Sequence, residues 1–358
     1  MSELREISVN QLPSPTWNWL KVNEAYIKIS DRAVRAAEDI EAGKELVVTA
    51  QSDKEKFAKL ESGMGESFNE VISSYGIKEE QFKLGEKAAL VKINVTYSQE
   101  EFYHNNYLVE VADDSELTFI MNFSAEEGAA TKAAACDTRF VIGKRAKVKL
   151  VQIHSFTENM KFYNNVSAEC EEDAGFEVIH IEFTAAGIYE GLVADLKGDR
   201  SSLRIDTAYL GKNEEDIDFN YVARHRGKET KSNIYANGVL CDRSKKVFRG
   251  TIDFIRGCSG AVGDEKEDVL LMDEDVVNKT TPLILCAEED VEGTHGATIG
   301  KLSDEVLFYF MSRGISEEEA YKQMADGRIS EVASRIEDEA TKTYIFEKLL
   351  MKGDCSDE

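Results

Sequence analysis

The chain has 358 residues, 42% of them hydrophobic and 31% charged, enough to bury one large core or two to three smaller ones and unlike a disordered chain. Against 43 Lys and Arg stand 68 Asp and Glu, a formal charge of -25, and so acidic a surface repels phosphate backbones and excludes nucleic acid as a partner. The longest apolar run, residues 306–311, is about a third of a bilayer span, and the first residues, MSELREISVN, lack the basic and apolar regions of a secretory signal; neither membrane nor export is expected, and the cytoplasm is the expected location.

Residues 1–84 read as a mixed, largely helical region. Phe68, Val71, Ile72 and Tyr75 recur at helical spacing, and Gly76 supplies a C-terminal stop. Trp17 and Trp19 flank Asn18 in a proline-containing lead-in, and packing against the next domain is favoured over a binding surface for them.

Across residues 85–302 the period changes. Val91, Ile93 and Val95 alternate with Lys92, Asn94 and Thr96, as in a half-buried strand. Leu117, Phe119 and Met121 repeat the pattern after Asp113-Asp114-Ser115-Glu116, and the same turn-then-strand grammar returns at residues 146–153, 175–183 and 202–207. Leu117, Val148, Phe176 and Leu203 recur about every 27 to 31 residues, a spacing typical of stacked repeats. No long helix interrupts them, which leaves a sandwich, a propeller or a β-solenoid.

Residues 303–358 return to helix. Ser303 before Asp304 and Glu305 is an N-cap with acidic residues at the positive helix end. Ser316-Glu317-Glu318-Glu319 is a capping box for a second helix, Gly314 ends the first, and Phe346, Leu349 and Leu350 share a face of a third. Such helices either cap the body or dock a partner.

Several enzyme signatures fail. Gly296-Ala297-Thr298-Ile299-Gly300-Lys301 has three residues between its glycines, and Leu302 stands where Ser or Thr would bind magnesium, so no ATP site is expected here. Gly63-Met64-Gly65 lacks the third glycine of a dinucleotide fingerprint, and neither a G-x-S-x-G nor an H-E-x-x-H segment occurs. The six cysteines form no C-x-x-C pair, and reduced thiols are expected. Among five histidines, His180 alternates with apolar neighbours as a core residue, and His225 lies between Arg224 and Arg226. His295 sits in the open segment Glu292-Gly293-Thr294-His295-Gly296, nine residues after the soft thiol of Cys286; the pair are candidate metal ligands, against burial for the Cys and plain exposure for the His.

The ordered blocks Phe248-Arg249-Gly250, Gly263-Asp264-Glu265-Lys266-Glu267-Asp268-Val269-Leu270-Leu271, Pro282-Leu283-Ile284-Leu285-Cys286-Ala287, His295-Gly296-Ala297-Thr298-Ile299-Gly300 and Leu307-Phe308-Tyr309 through Ser312-Arg313-Gly314-Ile315 resemble the SufB/SufD family of iron–sulfur cluster assembly proteins. His295-Gly296-Ala297 resembles SufD more than SufB, which places a glutamate after that histidine, and the essential SufB cysteine falls on Glu267. The resemblance implies a mainly β chain, a right-handed parallel β-helix core with helical N- and C-terminal regions. It implies a non-enzymatic subunit that pairs with a SufB-like chain and docks a SufC-like ATPase through the region of Phe308, Tyr309 and Arg313. A transient iron–sulfur cluster is then expected at the SufB–SufD interface, with His295 contributing and Cys286 a substitute for a cysteine that some SufD proteins carry at the position of Gly293. Two alternatives stay open: a SufB-like homodimeric scaffold, and a β-helix carbohydrate-active enzyme using a carboxylate pair such as Glu171 and Asp173.

Overall fold

The computed structural model describes residues 3–43, 46–48, 54–85, 87–156, 159–184 and 186–352. The first part holds β1 (Leu4–Val9), β2 (Ala25–Ser30), β3 (Ala37–Ala42), β4 (Leu46–Val48), α1 (Lys54–Ala58), α2 (Glu66–Ser74) and β5 (Glu80–Leu84). Then come β6 (Ala88–Tyr97), β7 (Phe102–Val111), β8 (Glu116–Ala125), β9 (Ala133–Ile142), β10 (Lys147–Ser155), β11 (Lys161–Cys170) and β12 (Gly175–Thr184). The run continues with β13 (Gly187–Leu196), β14 (Ser202–Gly211), β15 (Asp216–His225), β16 (Lys231–Leu240) and β17 (Lys245–Phe254). It ends with β18 (Ala261–Leu271), β19 (Val277–Cys286) and β20 (Val291–Gly300), before α3 (Asp304–Met311), α4 (Glu317–Ala333) and α5 (Glu339–Lys352).

Even-numbered strands from β6 to β20 stack into one nine-stranded sheet ending on β3, and odd-numbered strands from β5 to β19 into a second ending on β4. The chain alternates between the sheets, and the coils stack in parallel, so the expected parallel β-helix is found. Leu117, Val148, Phe176 and Leu203 are direct neighbours along one column of the first sheet. Alternation separates two cores. Leu150, Val178 and Ile205 point between the sheets, whereas Val151, Ile179 and Ile181 point outward under the C-terminal helices.

The acidic turns of the sequence are stacked corners. Asp114, Arg145, Asp173, Arg200 and Glu229 all take φ between 54° and 58°. Each donates its N–H to the carbonyl of the corner above, Asp114 to Lys144 at 2.9 Å and Arg200 to Lys228 at 2.8 Å among them. Opposite charges alternate up this column: Arg145 pairs with Asp114 and Arg200 with Asp173 at 2.7 Å. Of the two carboxylates considered for a carbohydrate enzyme, Asp173 pairs with Arg200 at 2.7 Å and Glu171 with Lys197 at 3.5 Å on these corners.

Residues 1–84 correct the reading of a largely helical region: among the described residues they hold five strands, two short α-helices and one turn of 3-10 helix, Asn18–Leu20. β3 and β4 run antiparallel to β6 and β5 and close the first coil. The β1–β2 hairpin and α2 cover the outer face of the second sheet, where Val9, Ile27 and Phe68 meet Ala135, Tyr163 and Tyr189. Trp17 and Trp19 do not pack as expected; they are 73% and 74% exposed. Tyr75 closes α2, and Gly76 follows at φ 64°. Gly63 lies backbone to backbone against Gly191, and Asn220 Nδ2 donates to the Gly63 carbonyl at 3.0 Å.

At the other terminus Ser303 Oγ accepts from Val306 N at 3.3 Å and Ser316 Oγ from Glu319 N at 3.1 Å, both caps as expected. Ile329, Val332, Ile345 and Leu349 are buried on the first sheet, while Phe346 is half-exposed; the Leu350 side chain and Cys355 lie outside the described residues. Among the described residues, Cys136, Cys170, Cys258 and Cys286 are free thiols. No described helix is long and apolar enough to cross a membrane.

A methyl group on Gly63 would collide with the Gly191 peptide. Gly63→Ala is therefore expected to destabilise the chain by about 1–3 kcal/mol through overpacking, read as a lowered thermal midpoint, while an alanine at Gly76, where the space is open but φ is positive, should cost about 1 kcal/mol.

Candidate functional site

Among the described residues each sheet ends on a strand with one neighbour, antiparallel β3 and β4 at the start of the stack and parallel β19 and β20 at its far end. β19 and β20 each pair with a single neighbour, β17 and β18, and their outer edges carry free backbone groups. Nearly the whole of β20 is exposed, and Val277 and Ile299 show 39% and 42% of their surface. In the coils below, the positions equivalent to Ile299 are core: its register partner Val269 is buried. The open coil is thus a half-finished interior.

His295 stands in the middle of β20, exposed, and in register with Glu265 of β18. In a parallel pair the two side chains share a face, so His295 lies above the inward column that holds Glu265. The floor beneath it is polar and buried. Lys246 of β17 forms an ion pair with Glu267, and both are at most 1% exposed. Lys246 Nζ also donates to Thr280 Oγ1 at 3.2 Å, Thr280 donates to the other Glu267 oxygen, and Tyr209 OH donates to Glu267 at 3.3 Å. Desolvation lowers the Lys246 ammonium from its ordinary value against the pull of Glu267.

Glu265 is buried beside them with no ion pair among the described residues, and its carboxylate rests where a side chain on Gly250 would be. Burial, then repulsion by Glu267, raises it to about 8, against the attraction of Lys246. Glu265 and Glu267 together form a compact acidic floor under His295, with one lysine to neutralise it.

Cys286 ends β19, on the other sheet, and its exposed thiol donates to the Glu288 carbonyl at 3.0 Å. Its predicted burial does not hold. Among the described residues, no group of three potential ligands includes His295 or Cys286. Phe308, Tyr309 and Arg313 lie together on and just after α3: Phe308 and Tyr309 are 74% and 54% exposed, and the Arg313 guanidinium stacks 3.6 Å over the Tyr309 ring. Of the remaining histidines, His180 is a buried hydrogen-bonded residue, 3.2 Å from Tyr221 OH. His225 is buried too, between Thr230 Oγ1 at 2.7 Å and Ser232 Oγ at 2.8 Å, while Arg224 and Arg226 point outward to Asp253 and Asp195.

Sequence reasoning missed the buried charges. Arg249 is the largest fully buried side chain, bonded to Asp218 at 2.6 Å and to the Val22 carbonyl, while Asn10 holds the same carboxylate at 2.7 Å. The N-terminal segment is thereby pinned to the solenoid through the Phe248-Arg249-Gly250 block. Lys246 was equally hidden, since Lys245-Lys246 reads as a solvated turn; only its place one residue before an alternating run, Val247 to Phe254, signals an inward position.

Residues 94–328 match the family described as SUF system FeS cluster assembly, SufBD core domain. The chain belongs to this family. Within it, the iron–sulfur cluster assembly protein SufD of Bacillus subtilis (strain 168) is 24% identical over 254 residues, 71% of this chain and 58% of the relative. SufB of the same organism is 26% identical over 313 residues, 87% and 65%, and SufD of Escherichia coli (strain K12) is 25% identical over 249, 69% and 58%. The chain spans about three-fifths of the length of these SufBD relatives, and overall identity does not separate SufD from SufB.

Because the fold prefers the neutral form of Glu265, its stabilising contribution is whole below about pH 4.5 and drains away as pH rises through about 8. Between pH 5 and 8 the unfolding free energy should fall by a few kcal/mol, followed by urea titration. Glu265→Gln should flatten that fall; an unchanged slope would show that Glu265 titrates normally.

Proposed function

We propose that this chain is a SufD-like, non-catalytic subunit of a cytoplasmic iron–sulfur cluster assembly scaffold, pairing through its open coil with a SufB-like chain and docking a SufC-like ATPase through α3. The observation that carries the reading is the far end of the solenoid, where two adjacent parallel strands, β19 and β20, leave bare edges with apolar side chains at 39% and 42% exposure, while the opposite end stops on antiparallel strands. A second β-helix end offers the complementary edges, and joining them buries the half-built interior.

The nascent cluster is the cargo of such a complex. His295 lies at the mouth, where a neutral imidazole is able to ligate iron while thiolates from the partner supply the rest. No cysteine stands at Gly293 and none at Glu267, so the reading draws its thiolates from the other chain, with Cys286 as this chain's exposed candidate. Coupling to ATP then requires that α3 bind the nucleotide-bound and free ATPase with different affinity, since only a differential contact shifts the mouth. Phe308 and the stacked Tyr309–Arg313 pair suit that task as preformed anchors.

The length of the SufB match, 87% of this chain, favours a second reading, a homodimeric scaffold that joins two copies of the open coil.

The test is anaerobic co-expression with SufB-like and SufC-like chains, reading complex mass, iron and sulfide. A three-component complex is expected from the wild type. His295→Ala should leave its mass unchanged and lower its iron and sulfide, while a Phe308→Ala/Tyr309→Ala double variant should lose the ATPase, with affinity falling about 30-fold for the roughly 2 kcal/mol of an aromatic anchor. A dimer of this chain alone that carries the cluster would select the homodimeric scaffold. Full cluster loading in His295→Ala would remove His295 from the assembly site.

A further inference from the structure

A second set of polar side chains lies sealed in the middle of the solenoid, several coils away from the open mouth. His154 of β10, His180 and Glu182 of β12 and Glu190 of β13 are each at most 1% exposed. Stacking puts them together: His154 is the register partner of Glu182, His180 lies on the same face of β12 two residues before Glu182, and Glu190 reaches in from the facing sheet. His154 Nδ1 is 2.7 Å from both Glu182 oxygens and 3.3 Å from Glu190 Oε1, and His180 Nδ1 is 2.9 Å from Glu190 Oε2.

Charge sets this cluster apart from the buried acids that are ion-paired; Glu265 shares its lack of an ion-paired cation among the described residues. Asp137, Asp206, Asp218 and Glu267 each face an Arg or Lys. Among the described residues, the only basic side chains that Glu182 and Glu190 face are imidazoles. A buried carboxylate without a cationic partner is costly, and two of them meet here in a cage of phenyl rings, Phe162 at 4.7 Å and Phe123 at 5.2 Å from the His154 ring. Both imidazoles spend Nδ1 on the carboxylates and leave Nε2 without any hydrogen-bond partner.

The spacing fits one ion. Ligand atoms about 2.1 Å from a metal lie roughly 3.0 Å apart at an octahedral right angle and roughly 3.4 Å apart at a tetrahedral one. The contacts here run from 2.7 to 3.3 Å, and donor atoms of His154, Glu182 and Glu190 all fall within 4.8 Å of one another. The outer partners of Glu190 are fixed as well: Tyr221 OH donates to Oε2 at 2.7 Å and Asn164 Nδ2 to Oε1 at 3.0 Å.

We infer that His154, Glu182 and Glu190, with His180 beside them, form a mononuclear site for a divalent first-row transition metal that clamps the two sheets together in mid-solenoid. Mixed imidazole and carboxylate donors without sulfur select Fe²⁺, Zn²⁺ or Mn²⁺ over soft ions. The ion neutralises both carboxylates at once and replaces a shared proton with a cross-link between the sheets. Since the ligands are shut off from solvent, loading belongs to folding, and exchange afterwards is slow. The site uses neither His295 nor Cys286 and does not depend on the chain's role in cluster assembly.

The test unfolds the full chain in chelator and refolds it with Fe²⁺ (anaerobically), Zn²⁺ or Mn²⁺, followed by desalting in chelator. About one ion per chain is expected to be retained, with a raised thermal midpoint and an X-ray absorption first shell of nitrogen and oxygen only. Glu190→Gln and Glu182→Gln, which keep side-chain shape, should each lower retained metal roughly tenfold or more. Wild type that retains no metal overturns the proposal, as does a sulfur shell or a Gln variant that keeps its full complement. Should a Gln variant fail to refold, the wild-type retention and absorption spectrum decide alone.

Discussion

Each coil of this solenoid is held by the row of backbone groups that the coil before it leaves free. That edge-to-edge hand-over needs no loop closure beyond one turn of chain, so the fold propagates easily and has no internal reason to stop. What must be supplied separately is an ending. At the start of the stack β3 and β4 reverse direction and pair antiparallel, which consumes the first edges. At the far end nothing described does this, and the chain instead turns away at Lys301 and lays α3 to α5 along the flank. The bare final coil is thus the one place where backbone hydrogen-bonding capacity, apolar surface and a histidine coincide.

The interior explains how so acidic a chain holds charge inside. Carboxylates enter the core in company: Asp218 with Arg249 and Asn10, Glu267 with Lys246, Thr280 and Tyr209. Removing one member would strand the other in a medium that cannot solvate it. Arg249 does more than balance charge, because its hydrogen bond to the Val22 carbonyl ties a segment more than two hundred residues distant to the body. Core polarity and N-terminal docking are consequently one design.

The period of the sequence was readable wherever one face of a strand is apolar and the other meets solvent or a helix. Leu117, Val148, Phe176 and Leu203 belong to the first sheet, and their spacing equals the coil length because the corners differ by only a few residues. The second sheet was nearly invisible for a physical reason. Its strands bury Asn105, Asn106, Asn164 and Asn165, which break the alternation, and their outer face is covered by the N-terminal hairpin, so neither face reads as polar. The N-terminal strands were lost because α2 carries the clearest periodicity there and β3 holds mostly exposed acidic residues. At the site, His295 was marked by its small neighbours, but Glu265 and Lys246 were not, since a charged residue in a strand looks solvated until its stacking partners are known.

The helical flank has a consequence for the birth of the molecule. Coils can stack as they leave the ribosome, each needing only its predecessor, yet Ile120, Val151, Ile179 and Ala208 wait for Tyr321, Ile329 and Ile345 to cover them. Throughout the synthesis of the remaining coils this chain must carry a broad apolar β-surface with no lid, the kind of surface on which nascent chains stick to one another. The helices that follow the last coil are therefore what ends that exposure, and a ribosome that stalls before them leaves a well-formed solenoid with an adhesive side.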